Sequence, residues 1–171
     1  MKILGITQAR VGSTRFPGKI LRQINGQTLL EIHLHRILKS KLLSSLIIAT
    51  TFEVGAEQII AIASDLNVAV FQGSTDDVLS RFYHAAEPER PDFVVRFTSD
   101  CPLIDSDIID AVIEYAISHN YDYASNTLLT TYPDGLDVEV FKYSALVDAF
   151  NNATYKSERE HVTPYIWKNS T

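Results

Sequence analysis

The 171 residues suffice for one domain with a sizeable core, and a composition of 46% hydrophobic and 21% charged residues excludes a disordered chain. Fifteen Lys and Arg against 21 Asp and Glu give a net charge of −6, the opposite of the basic balance typical of proteins that bind polymeric nucleic acid. The single cysteine, Cys101, permits no disulfide within the chain, and no apolar run reaches the length of a membrane span, so we expect a cytoplasmic protein that binds small anions.

Short apolar runs alternate with amphipathic segments of helix length in the first hundred residues. The runs predict buried strands at 2–7, 46–50, 68–72 and 93–97. Helices are predicted between them, one opened by a Thr28–Glu31 capping box, one over 56–66, and one over 75–87 that is entered through Ser74. This alternation predicts βαβ units and therefore a three-layer α/β/α domain, with a mostly parallel sheet covered on both faces.

The second half of the chain continues the pattern less regularly. Asp105 is placed to cap a long amphipathic helix, and the last helix is predicted to open at Ser157. Further elements are expected as strands at 122–126 and 137–141 and a helix near 144–153. The interruption between the two strands indicates a mixed edge of the sheet, and no linker divides residues 1–171 into separate domains.

The segment QARVGSTRFPGKI, residues 8–20, directly follows the first predicted strand and concentrates positive charge on a glycine-bearing backbone. Its cations are Arg10, Arg15 and Lys19, and the backbone N–H groups near Gly12 and Ser13 could join them around a triphosphate. The spacing matches neither a Walker loop nor the GxGxxG fingerprint. The alternative is a solvated surface loop, because most Arg and Lys side chains are exposed without a function.

The carboxyl ends of parallel strands share one edge of a sheet, where ligands of open α/β proteins gather. The second and third predicted strands end at Thr50-Thr51 and Gly73-Ser74, and Asp100 follows the fourth. Asp100 is therefore a candidate Mg²⁺ ligand opposite the basic loop, since Mg²⁺ takes one or two carboxylates plus phosphate oxygens. The alternative is an aspartate that only forms a turn.

Two later clusters carry weaker signals. Asp137 and Glu139 alternate along a predicted strand and would face one side, either toward a sugar or metal or as the wet face of an edge strand. The run from Glu158 to His161 is typical of an acidic first helical turn, and His161 as an active base is the less favoured interpretation.

Six segments together resemble the cytidylyltransferase family, which includes spore coat polysaccharide biosynthesis proteins and the synthetases of CMP-activated sugar acids. The segments are QARVGSTRFPGKIL, the Thr50-Thr51 pair, GSTDDVLSRF, VRFTSDCPLID, YPDGLDVEVF and EREHVTPYI. The resemblance implies a Rossmann-like, glycosyltransferase-A-like nucleotidyltransferase fold. It also implies an Mg²⁺-dependent transfer of CMP from CTP to a sugar acid with release of pyrophosphate, for surface or spore coat polysaccharide synthesis, by a homodimer.

The resemblance also implies roles for matching positions of this sequence. Arg10, Lys19 and Asp100 would be catalytic, with Asp100 as the metal ligand. CTP would be bound by Ala9, Arg10, Gly12, Ser13, Arg15, Lys19, Thr50, Thr51 and Ser74. The sugar would be contacted by Asn126, Asp137, Glu139, Arg159 and His161.

Relatives of this kind usually continue beyond the point where WKNST ends this sequence, and some carry a second metal carboxylate there. We therefore expect a chain truncated at its C-terminus, with Asp137 and Glu139 as the alternative source of that ligand. Two other functions stay open: a sugar-1-phosphate nucleotidylyltransferase that uses another base, and a non-catalytic module that binds nucleotide sugars. Fold alone does not decide among them.

Overall fold

The structure is a computed structural model that describes residues 1–12, 16–130 and 132–170. Its strands, in chain order, are β1 (Ile3–Gln8), β2 (Gln23–Ile24), β3 (Gln27–Thr28), β4 (Ser45–Thr51), β5 (Ala69–Gly73), β6 (Phe93–Thr98), β7 (Tyr123–Ser125) and β8 (Glu139–Lys142). The helices are α1 (Leu29–Ile37), α2 (Ala56–Asp65), α3 (Val78–Ala86), α4 (Ser106–Ser118), α5 (Tyr143–Asn152), α6 (Lys156–His161) and α7 (Pro164–Asn169).

Six strands form one sheet in the order β5-β4-β1-β6-β8-β7. β1, β4, β5 and β6 are parallel, so their carboxyl ends lie along one edge. β8 runs antiparallel to both β6 and β7, which confirms the predicted mixed edge. The chain builds outward from β1 through β4 to β5 and then crosses to β6 on the other side. The switch point, where open sheets bind ligands, therefore falls between β1 and β6.

Helices cover both faces of the sheet, and this confirms the predicted three-layer architecture. α1, α2 and α4 pack on one face with strand residues such as Ile48 and Val95. α3, α5 and α7 pack on the other face with Leu4 and Val94. Because neighbouring residues of a strand point to opposite faces, buried parallel strands are apolar almost throughout. This is why β1, β4 and β6 are recognisable in the sequence. The strand predicted as buried at 68–72 is β5, which lies at the edge of the sheet and is only partly buried.

Two predicted helix starts are confirmed by their side chains. Thr28 accepts from the backbone of Glu31 while Glu31 accepts from the backbone of Thr28, which completes the capping box. Asp105 accepts from the first turn of α4. The predicted start of α3 at Ser74 is wrong: the side chain of Asp77 caps that helix, and Ser74 instead accepts from the Asp77 N–H.

Other elements differ from the predictions or were missed. The last helix does not open at Ser157: α6 begins one residue earlier, and a further helix, α7, begins with Pro164 at its first position, where the missing N–H costs nothing. The short β2–β3 hairpin, turned by Asn25 and Gly26 at positive φ, was not predicted. None of the helices in the described part of the chain combines the length and apolarity that a bilayer span requires.

Candidate active site

A cavity of about 340 Å³ opens at the carboxyl edge of the parallel strands, at the switch point between β1 and β6. We call it the rim cavity. Its charged and titratable lining residues are Arg10, Lys19, Asp76, Arg81, Asp100, Lys156, Glu160 and His161. The predicted basic loop and the predicted metal ligand are thus brought to one cavity, with side chains from α3 and α6 closing its other sides.

Lys19 and Asp100 form the central ion pair of the rim cavity, with Nζ 2.6 Å from Oδ2. Gly18, at φ 67°, makes the turn before Lys19, and the buried side chain of Ile20 anchors the turn that follows. Burial by itself raises the pKa of the Asp100 carboxyl, but the hydrogen bond and the charge of Lys19 outweigh it, so the pKa lies below its ordinary value. Asp100 is therefore an ionised carboxylate whose side chain stays 46% exposed to an incoming ligand.

Arg10 and Gly12 share a second carboxylate, that of Glu53. The Gly12 N–H donates to Glu53 Oε2 at 3.2 Å, and Arg10 Nη1 lies 3.9 Å from Oε1. A Cβ on Gly12 would come within 2.8 Å of that carboxylate. The start of the basic loop thus already holds an anionic group of the protein itself, which fits the predicted affinity for anions. The predicted ligands Ser13 and Arg15 lie outside the described residues.

Four residues expected near a nucleoside lie at the strand ends, but in different environments. Ala9 lines the rim cavity and is buried. Thr50 and Thr51 are fully buried, and their hydroxyls have no hydrogen-bond partner. Ser74 is exposed and helps to form the turn before α3. Of these four residues only Ala9 belongs to the lining of the rim cavity, and a contact of any of the four with a nucleoside remains a prediction.

Arg81 lines the rim cavity and was missed by the sequence analysis. It is only 3% exposed, its Nη1 donates to the Ser74 carbonyl at 2.5 Å, and its Nε has no partner. Burial lowers the pKa of the Arg81 guanidinium to about 10, and the nearby charge of Arg10 adds to the effect. The sequence contained one feature that could have identified Arg81: it lies on the apolar face of α3, between Val78 and Phe82.

A second cavity, of about 270 Å³, adjoins the rim cavity and shares Thr98 and His161 with it. We call it the side cavity. Arg96 and Glu139, register partners on β6 and β8, form an ion pair at its wall. Glu139 is 7% exposed, and β8 lies inside the sheet between β6 and β7. The interpretation of Glu139 as the wet face of an edge strand is therefore wrong.

A strained turn brings α6 against both cavities. Val162, a buried β-branched residue, has φ 70° and ψ −60°, a conformation that costs about 1–3 kcal/mol. The turn directs the Thr163 hydroxyl to Glu139 Oε1 at 2.7 Å, beside the Tyr123 hydroxyl at the same distance. It also leaves His161 exposed at the boundary that the two cavities share.

Comparison with known proteins identifies the family of the chain. The sequence model described as cytidylyltransferase matches residues 4–171. The chain belongs to the cytidylyltransferase family. Its relatives include an uncharacterized protein of Methanocaldococcus jannaschii, 44% identical over 169 residues, which are 99% of this chain and 68% of the relative. The spore coat polysaccharide biosynthesis protein SpsF of Bacillus subtilis is 35% identical, covering 96% of this chain and 69% of its own length.

Other similar proteins support the same family and its fold. A 3-deoxy-manno-octulosonate cytidylyltransferase of Solibacter usitatus is 33% identical over 96% of this chain and 68% of that protein. A solved cytidylyltransferase from Leptospira borgpetersenii superimposes with a TM-score of 0.93 at 36% identity, over 99% of this chain and 72% of that one. A CMP:2-keto-3-deoxy-manno-octonic acid synthetase, solved with CTP, gives a TM-score of 0.74 at 14% identity, over 99% and 86%. This confirms the predicted nucleotidyltransferase fold, and membership of the family makes the chain a nucleotidyltransferase.

In this cytidylyltransferase, two of the residues expected to contact a sugar are held by the protein instead. Arg159 pairs with Asp77 at 2.8 Å and donates to carbonyls at the end of α5. The Asn126 amide donates to the Leu136 carbonyl and accepts from the Val138 N–H, both at 2.8 Å. Neither residue lines the rim cavity or the side cavity. Each instead stabilises the contact between two segments of the protein, and a direct contact of either with a sugar stays a prediction.

Asp137 and Glu139 line the side cavity together, although Asp137 precedes β8 and does not belong to the strand. Arg96, Tyr123 and Thr163 engage both oxygens of Glu139. Asp137 is the carboxylate left for a ligand. Burial raises its pKa, and the neighbouring carboxylates, Asp134 first among them, add to the effect.

The donor set at this edge fits a Mg²⁺ ion that shares its ligands with a nucleotide. Asp100 is ionised, and a third cavity beside it is lined by Asp100, Asp134 and Asp137. In the described residues no three side chains of His, Cys, Asp or Glu converge as a complete metal site. A Mg²⁺ held here would therefore take one or two carboxylates from the protein and its other ligands from phosphates and water, as is usual for this ion.

Proposed function

We propose that this cytidylyltransferase transfers CMP from CTP to a sugar acid, with Mg²⁺, and releases pyrophosphate for the synthesis of a surface polysaccharide. The observation that carries the proposal is the Lys19–Asp100 ion pair in the rim cavity, next to a side cavity that shares Thr98 and His161 with it. The first cavity would take the nucleotide and the second the acceptor. The relative named for 3-deoxy-manno-octulosonate supports a sugar acid as the acceptor, and the relative named for spore coat polysaccharide supports a role in polysaccharide synthesis.

In the proposed reaction, a hydroxyl oxygen of the sugar forms a bond to the α-phosphorus, and the bond to the β-phosphate oxygen breaks in line. The work of the protein is to position these groups and to neutralise charge, since phosphoryl transfer needs little covalent help. Lys19 and Arg10 would neutralise the departing pyrophosphate, and Asp100 would hold the metal. Bound Mg²⁺ would supply further positive charge to the phosphates. His161, at the boundary of the two cavities, is the candidate to accept the hydroxyl proton.

A pyrophosphate-release assay with CTP, Mg²⁺ and a panel of nonulosonic acids tests the proposal. We expect release only when both CTP and one of the acids are present. Lys39→Ala, at an exposed lysine beyond the end of α1, is the matched control for Lys19→Ala and should leave the rate unchanged. Light scattering on the same sample tests the expected homodimer.

Three outcomes of these measurements would contradict the proposal. Release with a sugar 1-phosphate but with none of the acids would indicate a sugar-1-phosphate nucleotidylyltransferase. Tight binding of a purine nucleotide alone would overturn the assignment of CTP. Saturable binding of CTP without any release of pyrophosphate would indicate a binding module.

A further inference from the structure

The turn that carries Asp100 is fixed at its last residue, Cys101. The Cys101 N–H donates to the Thr98 carbonyl at 3.1 Å and so closes a turn with Ser99 and Asp100 at its centre. The Cys101 carbonyl accepts from Nδ1 of His33 at 2.9 Å. Both backbone groups of Cys101 are therefore engaged, and the backbone that positions Asp100 depends on a contact with His33.

His33 belongs to α1 and is anchored in the core of the protein. Its ring is 0% exposed, its Nε2 accepts from the Thr7 hydroxyl of β1 at 2.9 Å, and it packs edge-on against Phe97 of β6. These two strands are paired with each other at the switch point of the sheet. Both ring nitrogens have a partner, so the imidazole is held in one orientation. His33 thus connects the turn of Asp100 to the most rigid part of the sheet.

A second residue of α1 holds the far end of the same loop. Arg36 lies three residues after His33, on the same face of the helix. Its Nε donates to the Ile104 carbonyl at 2.5 Å, and its Nη2 lies 3.5 Å from Asp105 Oδ2. The Ile104 N–H in turn donates to the Cys101 carbonyl at 3.3 Å. The loop after Asp100 is therefore held at both of its ends by one face of α1.

These contacts matter most when a ligand draws Lys19 away from Asp100. In the free protein Lys19 Nζ, 2.6 Å from Asp100 Oδ2, fixes the carboxylate from the side of the cavity. The phosphates of CTP would take Lys19 as their own partner, and Asp100 would then face the metal without that support. Mg²⁺ demands nearly ideal octahedral geometry with oxygens at about 2.0–2.1 Å, so it tolerates little displacement of a carboxylate. The support that does not depend on the ligand then comes from His33, through the Cys101 carbonyl.

We propose that His33 is a positioning residue that holds Asp100 in place for the Mg²⁺ of the bound nucleotide, with Arg36 as a secondary support. The inference rests on the proposed function, because it takes CTP and Mg²⁺ as the ligands. His33 does not line the rim cavity and acts only through Cys101. Its loss should therefore weaken the contribution of the metal to binding and leave the contacts of Lys19 with the phosphates unchanged. Removing a group that orients a metal ligand typically lowers metal affinity by roughly tenfold to a hundredfold.

Equilibrium binding of CTP to the full chain, measured by calorimetry with Mg²⁺ and again in EDTA, tests the inference. The ratio of the two affinities is the gain from the metal. Two variants separate the hydrogen bonds of the ring, because the amide of His33→Asn takes the place of Nδ1 and that of His33→Gln the place of Nε2. We expect His33→Gln to lower the gain by roughly tenfold to a hundredfold at unchanged affinity in EDTA, and His33→Asn to keep most of it. His35→Gln, at an exposed histidine of the same helix, is the matched control and should keep the full gain.

A variant outside the core keeps the inference testable even if the His33 variants fail to fold. Arg36→Met removes the donor to Ile104 from a partly exposed position, and we expect it to lower the gain from the metal in the same direction, by less than tenfold.

Several results would overturn the role of His33 and leave the proposed function standing. One is an equal gain from the metal in wild type, His33→Gln and Arg36→Met. Another is an affinity in EDTA that falls as far as the affinity with Mg²⁺, since a site that is merely disordered loses both. A His33→Asn variant as impaired as His33→Gln would assign the effect to packing and not to the Cys101 carbonyl. Wild-type protein that gains nothing from Mg²⁺ would instead overturn the metal assignment of the proposed function together with this inference.

Discussion

The buried histidine His33 makes the stability of the fold depend on pH in a calculable way. Its Nδ1 donates to the Cys101 carbonyl at 2.9 Å, and its Nε2 accepts from the Thr7 hydroxyl at the same distance. The neutral imidazole is thus fully hydrogen-bonded at 0% exposure. Burial lowers the pKa of His33 from 6.5 to about 4, against weaker opposing effects of the Cys101 carbonyl and the charge of Asp100. Protonation would place a buried cation beneath the turn that carries Asp100, where burial costs more than these two effects return.

The magnitude follows from the two pKa values. Between pH 6.5 and about 4 the unfolded chain binds a proton at this position and the folded protein does not, so stability falls as the pH falls through that window. The difference of about 2.5 pH units, at 1.36 kcal/mol for each, gives about 3 kcal/mol for the wild-type protein. Below pH 4 the contribution is fully lost, and above pH 6.5 it is fully present.

Urea denaturation followed by circular dichroism at a series of pH values between 4 and 7 measures this effect. The variant His33→Gln cannot titrate, so the free energy of unfolding of wild type minus that of the variant should fall by about 1.4 kcal/mol for each pH unit inside the window. The subtraction cancels the carboxylates that both proteins share. His35→Gln, at an exposed histidine of the same helix, serves as the control. If wild type and His33→Gln lose stability in parallel as the pH falls, the account of a buried neutral imidazole is refuted.

Four further predictions concern the charged side chains and the divalent ion at the two cavities. Lys19→Ala should lower kcat by roughly two to three powers of ten, because it removes a cation that stabilises transition-state charge, and steady-state pyrophosphate release measures the loss. Removal of divalent cations by EDTA should abolish turnover. In a magnesium titration of the rate, Asp100→Asn should raise the concentration for half-maximal activity roughly tenfold or more. Glu139→Gln should lower the free energy of unfolding in urea by about 3–5 kcal/mol, because the guanidinium of Arg96 would remain buried without its carboxylate.

Each of these predictions has a result that would contradict it. Unchanged kinetics of Lys19→Ala would remove that lysine from the reaction scheme. Full activity in EDTA would show that the reaction needs no divalent metal. An unaltered magnesium requirement in Asp100→Asn would show that Asp100 does not bind the metal. A Glu139→Gln variant as stable as wild type would show that Arg96 keeps its solvation without the partner.

The sequence predicted the parallel core and the edge where residues converge, because both depend on local patterns. The four parallel strands are short apolar runs, and their polar ends are the residues that follow each run. The capping box at Thr28 and the cap at Asp105 use side chains within three residues of their targets, so spacing alone identifies them. Lys19 and Asp100 are 81 residues apart, yet the topology of parallel strands was sufficient to predict that they lie at one edge of the sheet.

The features that were missed or misjudged depend on packing between distant segments. The burial of Glu139 follows from its pairing with Arg96 and from the insertion of β8 between β6 and β7, and the alternation of residues could not show either fact. Arg81 was missed because an arginine in an amphipathic helix is ordinarily solvated. The engagement of Arg159 by Asp77 arises only when α6 packs against α3. In each case the environment of a charged side chain depends on residues that are distant in the sequence.

The carboxylate of Glu53 at the start of the basic loop has a consequence for which anions the site can retain. Glu53 already accepts a hydrogen bond from the Gly12 N–H and pairs with Arg10, and Asp100 pairs in the same way with Lys19. The charge of each cation is thus balanced by a carboxylate of the protein, and an anionic ligand must replace that carboxylate to bind. A single phosphate or sulfate gains little from such an exchange. A chain of phosphates can pair with the cations while its divalent ion pairs with the released carboxylates, so we expect the site to bind such a ligand in preference to a single phosphate or sulfate.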